Sequence, residues 1–357
     1  MGKLAVYKYF SFILLIATFF LVGFTFFGLF GGNSSPAAGN TAQAMLIYIL
    51  PILIIADVVL LVYWLLRRRW HWAAFPFFTL ICCIPYIGTQ FQFRSLDEQA
   101  EKKSGLKIAT YNVARFNRET TGFIAQDILA QMKRQKVDVL CMQEYNDVSG
   151  DKLNSNSYKD YFPYMAKGKD DMVIYSRHPI SDSKTIEFDE TNNSAMWADI
   201  DYNGLQLRVV NVHLETTGFN RTLRNAAKVQ MQMQEKNIEH NSRVLSAIYG
   251  NYTLGMVVRA GQAVKVRNEL QKHADSDHSL IICGDFNDVP YSYVYNVMLG
   301  DLIDGFKECG SGWMYTYRGS KSVRIDYIFH DESLKGLSYY KQDLSYSDHY
   351  PVYMKLE

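Results

Sequence analysis

Charge is nearly absent from the first quarter of this 357-residue chain. No acidic or basic side chain occurs in residues 9–56, so that stretch cannot form the polar surface of a soluble domain. Cysteine is also scarce, with five in all. Cys82 and Cys83 fall in apolar sequence, and the other three, Cys141, Cys283 and Cys309, are odd in number and lack metal-thiolate spacing. A disulfide scaffold and a structural zinc site are thereby excluded. Eight prolines and 23 glycines are too few for a collagen-like or low-complexity chain, and 48% hydrophobic residues exclude disorder. There is no internal repeat.

The near-neutral total of +1 hides a division. Residues 1–94 carry six basic side chains (Lys3, Lys8, Arg67, Arg68, Arg69 and Arg94) against the single acid Asp57, whereas the remaining 263 residues carry 31 basic against 35 acidic. This pattern predicts a membrane segment (1–93), a polar linker (94–105) and one soluble domain (106–357) large enough for a full core. Apolar spans at 10–30, 44–66 and 72–93 are each near the ~20 residues that cross a bilayer as a helix, the third interrupted by Pro76 and Pro85. Lys3 and Lys8 before the first span and Arg67–Arg69 after the second place both on the cytoplasmic side. Three crossings then deliver the soluble domain to the periplasmic or extracellular face, as does cleavage of the first span as a signal peptide. A re-entrant third span would instead leave the domain in the cytoplasm. Asp57, in the middle of a span, reads as an inward-facing acid bonded to a neighbouring helix.

In the soluble part, strand-like runs occur at 107–113, 137–143, 172–176, 195–202, 205–214, 280–283, 324–329, 337–341 and 351–356. Asn203-Gly204 marks a hairpin between two of them. Helical spacing covers 123–135, and longer helical stretches are expected at 222–249 and 258–273. Many strands with mixed hairpin and helical connections favour a two-sheet α/β sandwich over a parallel doubly wound sheet. Cys141 and Cys283 lie in apolar runs and read as buried thiols.

Polar residues recur at the ends of these strands: Asn112, Glu144, His213, Asp285 with Asn287, Asp326 within Arg324-Ile325-Asp326-Tyr327-Ile328, and Ser347-Asp348-His349 before the last strand. Singly, such residues are more often turn formers. Together they make a hard donor set of carboxylates, amides and two imidazoles without thiolate, which suits Mg²⁺, Mn²⁺ or Ca²⁺ and the hydrolysis of a phosphate ester.

Gln143-Glu144, Asn211-Val212-His213-Leu214, Gly284-Asp285-Phe286-Asn287, Arg324-Ile325-Asp326-Tyr327-Ile328 and Ser347-Asp348-His349-Tyr350-Pro351, in this order, resemble the endonuclease/exonuclease/phosphatase superfamily, with its deoxyribonuclease I-like fold. The resemblance covers about 107–357. It implies a four-layered α/β sandwich, two packed mixed sheets flanked by helices, here behind N-terminal transmembrane helices. It also implies Mg²⁺ (or Mn²⁺) held by Glu144 with Asn112 and Asp348 nearby. Asp285 would activate water, Asn287 would position it or the phosphate, Asp326 would orient His349, and His213 would match the additional histidine of the nuclease, sphingomyelinase and inositol-phosphatase branches. A carboxylate partner for His213 is not assignable between 158 and 171, which favours a phosphate donor over an acid. Arg177 falls in a segment that is usually structural, with substrate contact as the alternative, and His178 reads as a solvated loop histidine. Arg221, Arg224, Lys228 and Arg243 in the 216–257 insertion read equally as a basic lid or a solvated helix.

The expected function is a membrane-anchored, metal-dependent phosphoesterase acting on lipid headgroups or small phosphorylated molecules. A tethered nuclease is the alternative, disfavoured because the soluble part is net acidic and has no basic run for phosphate neutralisation. A catalytically silent sensor would require a lost site residue, and none is missing from the motifs.

Overall fold

The computed structural model describes residues 3–95, 98–117, 123–145, 155–169, 171–189, 191–216, 238–273, 277–319 and 322–357. Helices α1 (Lys3–Leu29) and α2 (Thr41–Leu66) form an antiparallel pair joined by short turns at Gly31–Asn33 and Pro36–Ala38. Both are long and apolar enough to cross a membrane. Among the polar contacts that join them, Thr25 Oγ1 donates to Asp57 Oδ2 at 2.7 Å and Trp64 Nε1 donates to Thr18 Oγ1 at 2.9 Å. Asp57 is thus inward-facing and bonded to its neighbour, as the sequence implied.

The third apolar stretch, expected as a span over 72–93 interrupted by Pro76 and Pro85, is bent, as either a broken span or a re-entrant loop would be. It is two helices, α3 (Trp70–Cys82) and α4 (Ile84–Gln90), bent by 46° at Cys83. Pro85 in the first turn of α4 lacks an amide hydrogen, so the α3 ladder cannot run through it. Phe91–Gln92 then leaves helix altogether as strand β1. The 94–105 segment also departs from a free tether. Arg94 donates to the Lys307 carbonyl, Ser311 donates to the Arg94 carbonyl, and Ala100 is buried within a short helix, Glu98–Lys102. Most of these bonds involve main-chain carbonyls, to which composition is blind.

The remaining strands are β2 (Leu106–Asn112), β3 (Val139–Gln143), β4 (Tyr164–Lys167), β5 (Val173–Ser176), β6 (Ile180–Glu187), β7 (Ser194–Tyr202) and β8 (Leu205–His213). After them come β9 (Ser279–Asp285), β10 (Ile303–Asp304), β11 (Gly312–Trp313), β12 (Asp326–His330), β13 (Gly336–Lys341) and β14 (Val352–Leu356). One six-stranded sheet has the order β13-β14-β2-β3-β5-β4 and the other β10-β12-β9-β8-β7-β6, while β1 pairs with β11 apart from both. Each large sheet is mixed, with one parallel pair: β2 with β3, and β8 with β9.

The central strands are buried on both faces, which alternation of apolar side chains achieves. Ile108, Val139, Cys141, Val209, Ile281, Cys283, Ile328 and Met354 pack between the sheets. On the outer face of the first sheet, Ala109, Leu140 and Met142 meet Ile128 and Met132 of the helix Phe123–Gln135. On the outer face of the second, Val210, Val212 and Ile282 meet Ala263 and Val266 of the helix Ile238–Lys272, together with Val294. Helix, sheet, sheet and helix make the expected four layers. Ile238–Lys272 is one continuous helix through the expected gap at 250–257, with a buried stripe of Met256, Ala260, Ala263, Val266 and Leu270 that begins within that gap, and residues 222–237 of the expected first helix lie outside the described residues. Cys141 and Cys283 are free and buried, and burial holds the Cys141 thiol well above its ordinary range, as suits inert core filler.

Candidate active site

The two parallel pairs bring strand ends together. In the second sheet, His213 of β8 is level with Asp285 of β9, and Asp285 is level with Asp326 of β12, so three motif residues form one row. In the first sheet, Asn112 of β2 is level with Gln143 of β3. The sheets are tied to each other just below this edge. Gln143 Nε2 donates to Asn211 Oδ1 at 2.6 Å, and Asn211 Nδ2 donates to the carbonyls of Met142 and Val173 at 2.9 and 3.1 Å. These buried amide bonds fix the relative position of the two rows. Gly284 permits the approach of β8 to β9: its φ is +133°, and a Cβ there would lie 2.0 Å from the Val212 carbonyl oxygen.

Asp285 is the hub. Its carboxylate accepts from Asn112 Nδ2 (3.0 Å), the Asn287 amide nitrogen (2.8 Å) and Asn287 Nδ2 (3.3 Å). His349 Nδ1 donates to both Asp326 oxygens at 3.0 and 3.1 Å, and its Nε2 lies 3.6 Å from Asp285 Oδ2. His213 Nδ1 lies 2.8 Å from Asp171 Oδ2, and its Nε2 is 4.0 Å from the same Asp285 oxygen. Asn112 Nδ2 also reaches Glu144 Oε1 at 3.4 Å. Glu144 is held beside it because the backbone beyond β2 continues to bond to that beyond β3, through Arg115 N–H to the Glu144 carbonyl. Glu144 and Asn287 have φ of 49° and 52°, left-handed conformations that side chains rarely adopt and that concentrate at functional sites.

Electrostatics follow from this packing. Burial alone would push the His349 imidazolium down, but the charges of Asp326 and Asp285 outweigh it and hold it up to about 10. His213 is likewise raised, with the Asp171 hydrogen bond and the charges of Asp285, Asp171 and Glu144 overcoming burial. For Asp285, burial is the largest effect and pushes the carboxyl up, the two histidines pull it down, and it settles at about 6. A carboxylate near 6 beside an imidazolium near 10 gives an acceptor and a donor that are both in their working forms at neutral pH.

Of the residues singled out from sequence, Asn112, Glu144, His213, Asp285, Asn287, Asp326 and His349 lie in this one network. Asp348 is exposed at its rim. Its neighbours are fixed to the site by Ser347 Oγ donating to the Asn112 carbonyl at 2.7 Å and by His349 N–H donating to Ser347 Oγ. Arg177 is elsewhere: it donates to Asp138 at 2.8 Å, past the end of β5 that pairs with the start of β3, opposite the Glu144 end. His178 lies 3.9 Å from the same Asp138. Arg243 lies on the long helix, and Arg221, Arg224 and Lys228 fall outside the described residues.

Asp171 was the residue that sequence reasoning missed. It lies two residues before β5, which runs antiparallel to β3, so the start of β5 is where β3 ends. Tyr145 N–H donates to its carbonyl at 2.8 Å. The available signal was therefore an acid before a buried strand antiparallel to the Gln143-Glu144 strand.

Two donor groups could take a cation. Asp285, Asp326 and His349 each offer one ligand atom within 4.8 Å of the others. His349 Nδ1 is committed to Asp326, however, so this trio is arranged chiefly for proton transfer. Half-buried Glu144, with exposed Asp348 on the adjacent loop, offers the hard carboxylate oxygens that Mg²⁺ prefers and keeps solvent access, while Asn112 turns its Nδ2 to Glu144 and Asp285 and its Oδ1 to the Ala114 N–H.

A family model described as the endonuclease/exonuclease/phosphatase family matches residues 109–349, and one described as a domain of unknown function matches residues 11–90. Among solved structures, D. rerio TDP2 complexed with single strand DNA product is 18% identical, covers 71% of this chain and 100% of its own, and superposes with a TM-score of 0.50. An endonuclease/exonuclease/phosphatase family protein from Leptotrichia buccalis C-1013-b is 15% identical over 71% and 99% of the two chains, also with a TM-score of 0.50. At these identities the likeness is one of fold. Comparison with curated proteins gives no match.

Proposed function

The chain belongs to the endonuclease/exonuclease/phosphatase family, and from that footing we propose that it is a membrane-anchored, divalent-metal-dependent phosphoesterase acting on lipid headgroups or other small phosphate esters. The observation that carries this reading is the convergence of two histidine–carboxylate pairs on one Asp285 oxygen. In the proposed reaction, water is held by Asn287 and loses its proton to Asp285 as it attacks phosphorus. His349, kept as the imidazolium by Asp326, donates to a phosphoryl oxygen as negative charge grows there. As the bond from phosphorus to the ester oxygen breaks, His213, the second imidazolium near Asp285 and oriented by Asp171, gives its proton to the leaving alkoxide, and Asp285 releases the proton taken from water to solvent. Glu144, Asn112 and Asp348 would hold Mg²⁺ or Mn²⁺, which when bound supplies further neutralisation of the phosphate.

Location favours a substrate at a membrane. The 31–40 connection and the catalytic domain touch, through Asn296 Nδ2 donating to the Gly32 carbonyl at 3.0 Å. They therefore lie at the same end of the α1–α2 pair, and Arg67–Arg69 lie at the other. If the arginines are cytoplasmic, the catalytic domain is periplasmic or extracellular. The soluble part's excess of acid over base argues against affinity drawn from a nucleic-acid backbone.

The decisive experiment gives the purified full chain in lipid nanodiscs, with Mg²⁺ or Mn²⁺, a panel of plasmid DNA, sphingomyelin, phosphoinositides, sugar phosphates and an activated phosphodiester. Hydrolysis of the lipid or small phosphates that stops in chelator is expected. Cleavage of DNA alone establishes the nuclease instead, and turnover of nothing in the panel defeats the proposal. Sidedness is tested by external protease on intact cells whose outer barrier has been opened. A protected catalytic domain contradicts the proposed orientation.

A further inference from the structure

Beyond the motif residues, one buried polar junction connects the catalytic loops to the apolar helices. Asp288 follows Asn287 directly and is almost fully buried. Its Oδ1 accepts from the Tyr48 hydroxyl of α2 at 2.5 Å and its Oδ2 from Arg259 Nε at 3.2 Å. Its carbonyl accepts from Tyr327 at 2.8 Å. Arg259, on the long helix and wholly buried, donates through Nη1 to the Glu215 carbonyl at 2.8 Å and through Nη2 to the Tyr48 oxygen at 3.3 Å. Gln262, one turn further on, accepts from Glu215 N–H at 2.7 Å. The two segments fixed here are the exits of β8 and β9, immediately after His213 and Asp285. They are also joined to each other, because Asn287 Nδ2 donates to the Leu214 carbonyl at 2.9 Å.

We propose that Tyr48 is a positioning residue for the reaction, so that α2 is part of the catalytic unit as well as its anchor. The inference rests on the phosphoesterase reading of Asp285 and Asn287. The Tyr48 hydroxyl bonds to both members of the Asp288–Arg259 pair and thereby sets where Asn287 presents its amide. A buried charge pair tolerates loss of a bonded neighbour poorly, since no water is at hand to replace it. The placement suits a link to a bilayer. Beyond Tyr48, residues 49–66 of α2 would span about 27 Å at the helical rise, close to a hydrocarbon core, which leaves Tyr48 at the interfacial level where tyrosine is favoured. Aromatic contacts of Tyr48 with Tyr252 and of Tyr86 with Tyr291 close the junction around it.

The test is Tyr48→Phe in the full chain in nanodiscs, which removes one oxygen and keeps the ring. With an activated phosphodiester, kcat is expected to fall about tenfold with KM within about twofold, because the nucleophile-positioning loop shifts while the substrate's own contacts persist. Amide hydrogen exchange across 286–292 should quicken at the same time, with the protection of β2 and β3 unchanged. Exchange that stays at the wild-type rate overturns the inference. So does faster exchange with undiminished kcat, or a rise in KM alone. If the wild-type protein hydrolyses no phosphate ester, the phosphoesterase reading fails and the positioning role falls with it. The exchange arm then still reports whether Tyr48 holds the loop.

Discussion

His213 and His349 approach the same oxygen of Asp285, yet their supports differ. Asp326 opens a buried strand, binds the His349 ring with both oxygens, and has its own N–H fixed to Thr316 Oγ1 at 3.0 Å. Asp171 sits in a turn before β5, meets the His213 ring with one oxygen, and leaves its other oxygen without a partner among the described residues. The His349 side is thus rigid and strongly charged, while the His213 side hangs on a connection. Two side chains of the same type, equidistant to within half an ångström from one acceptor, are set up for unequal work.

Substitutions at the shared residue and at each arm bear on that inequality. Asp285→Asn, which removes the acceptor common to both, should lower kcat on an activated phosphodiester by on the order of 10⁴-fold. His349→Ala should cost about 10³-fold and His213→Ala about 10²-fold, measured side by side in the full chain. Equal losses would erase the difference between the arms, and a larger loss at His213 would reverse it. One step out, Asp326→Asn should cost about 10²-fold and Asp171→Asn about tenfold, since each leaves its imidazole in place but less well oriented.

The smallest expected effect is on pH dependence. Asp285 accepts a proton only as carboxylate, so activity should rise as pH climbs through about 6. His349 donates only as imidazolium, so activity should fall as pH climbs through about 10. Asp326→Asn removes the largest charge that raises His349 and should move the alkaline limb down. Asp171→Asn should leave that limb where it is. A limb that follows Asp171 instead would assign the donor to His213.

Much of this site could be read from strand ends, because a run such as 280–283 or 137–143 is buried on both faces and its terminal polar residue has only the edge of the sandwich to occupy. Asp171 could not, because its partner is 42 positions away and is met only once β5 is known to run antiparallel to β3. The outer strand β6 was missed because its side chains are mostly exposed and polar, so no apolar alternation marks it. The junction of Tyr48, Asp288 and Arg259 was hidden for a related reason. A tyrosine in an apolar span, an acid in a turn motif and an arginine on a polar-looking helix each have an ordinary explanation until the fold joins them. The acid in the other helix pair was legible, because Asp57 in an uncharged run has few alternatives to an internal bond.

The central claim, that the two histidines serve one acceptor as a unit, is tested most directly by a double-substitution cycle on kcat with wild type, His349→Ala, His213→Ala and the double variant. If they act through Asp285 together, the double variant should turn over within about threefold of His349→Ala alone. A loss equal to the product of the two single losses would show independent contributions and contradict the claim.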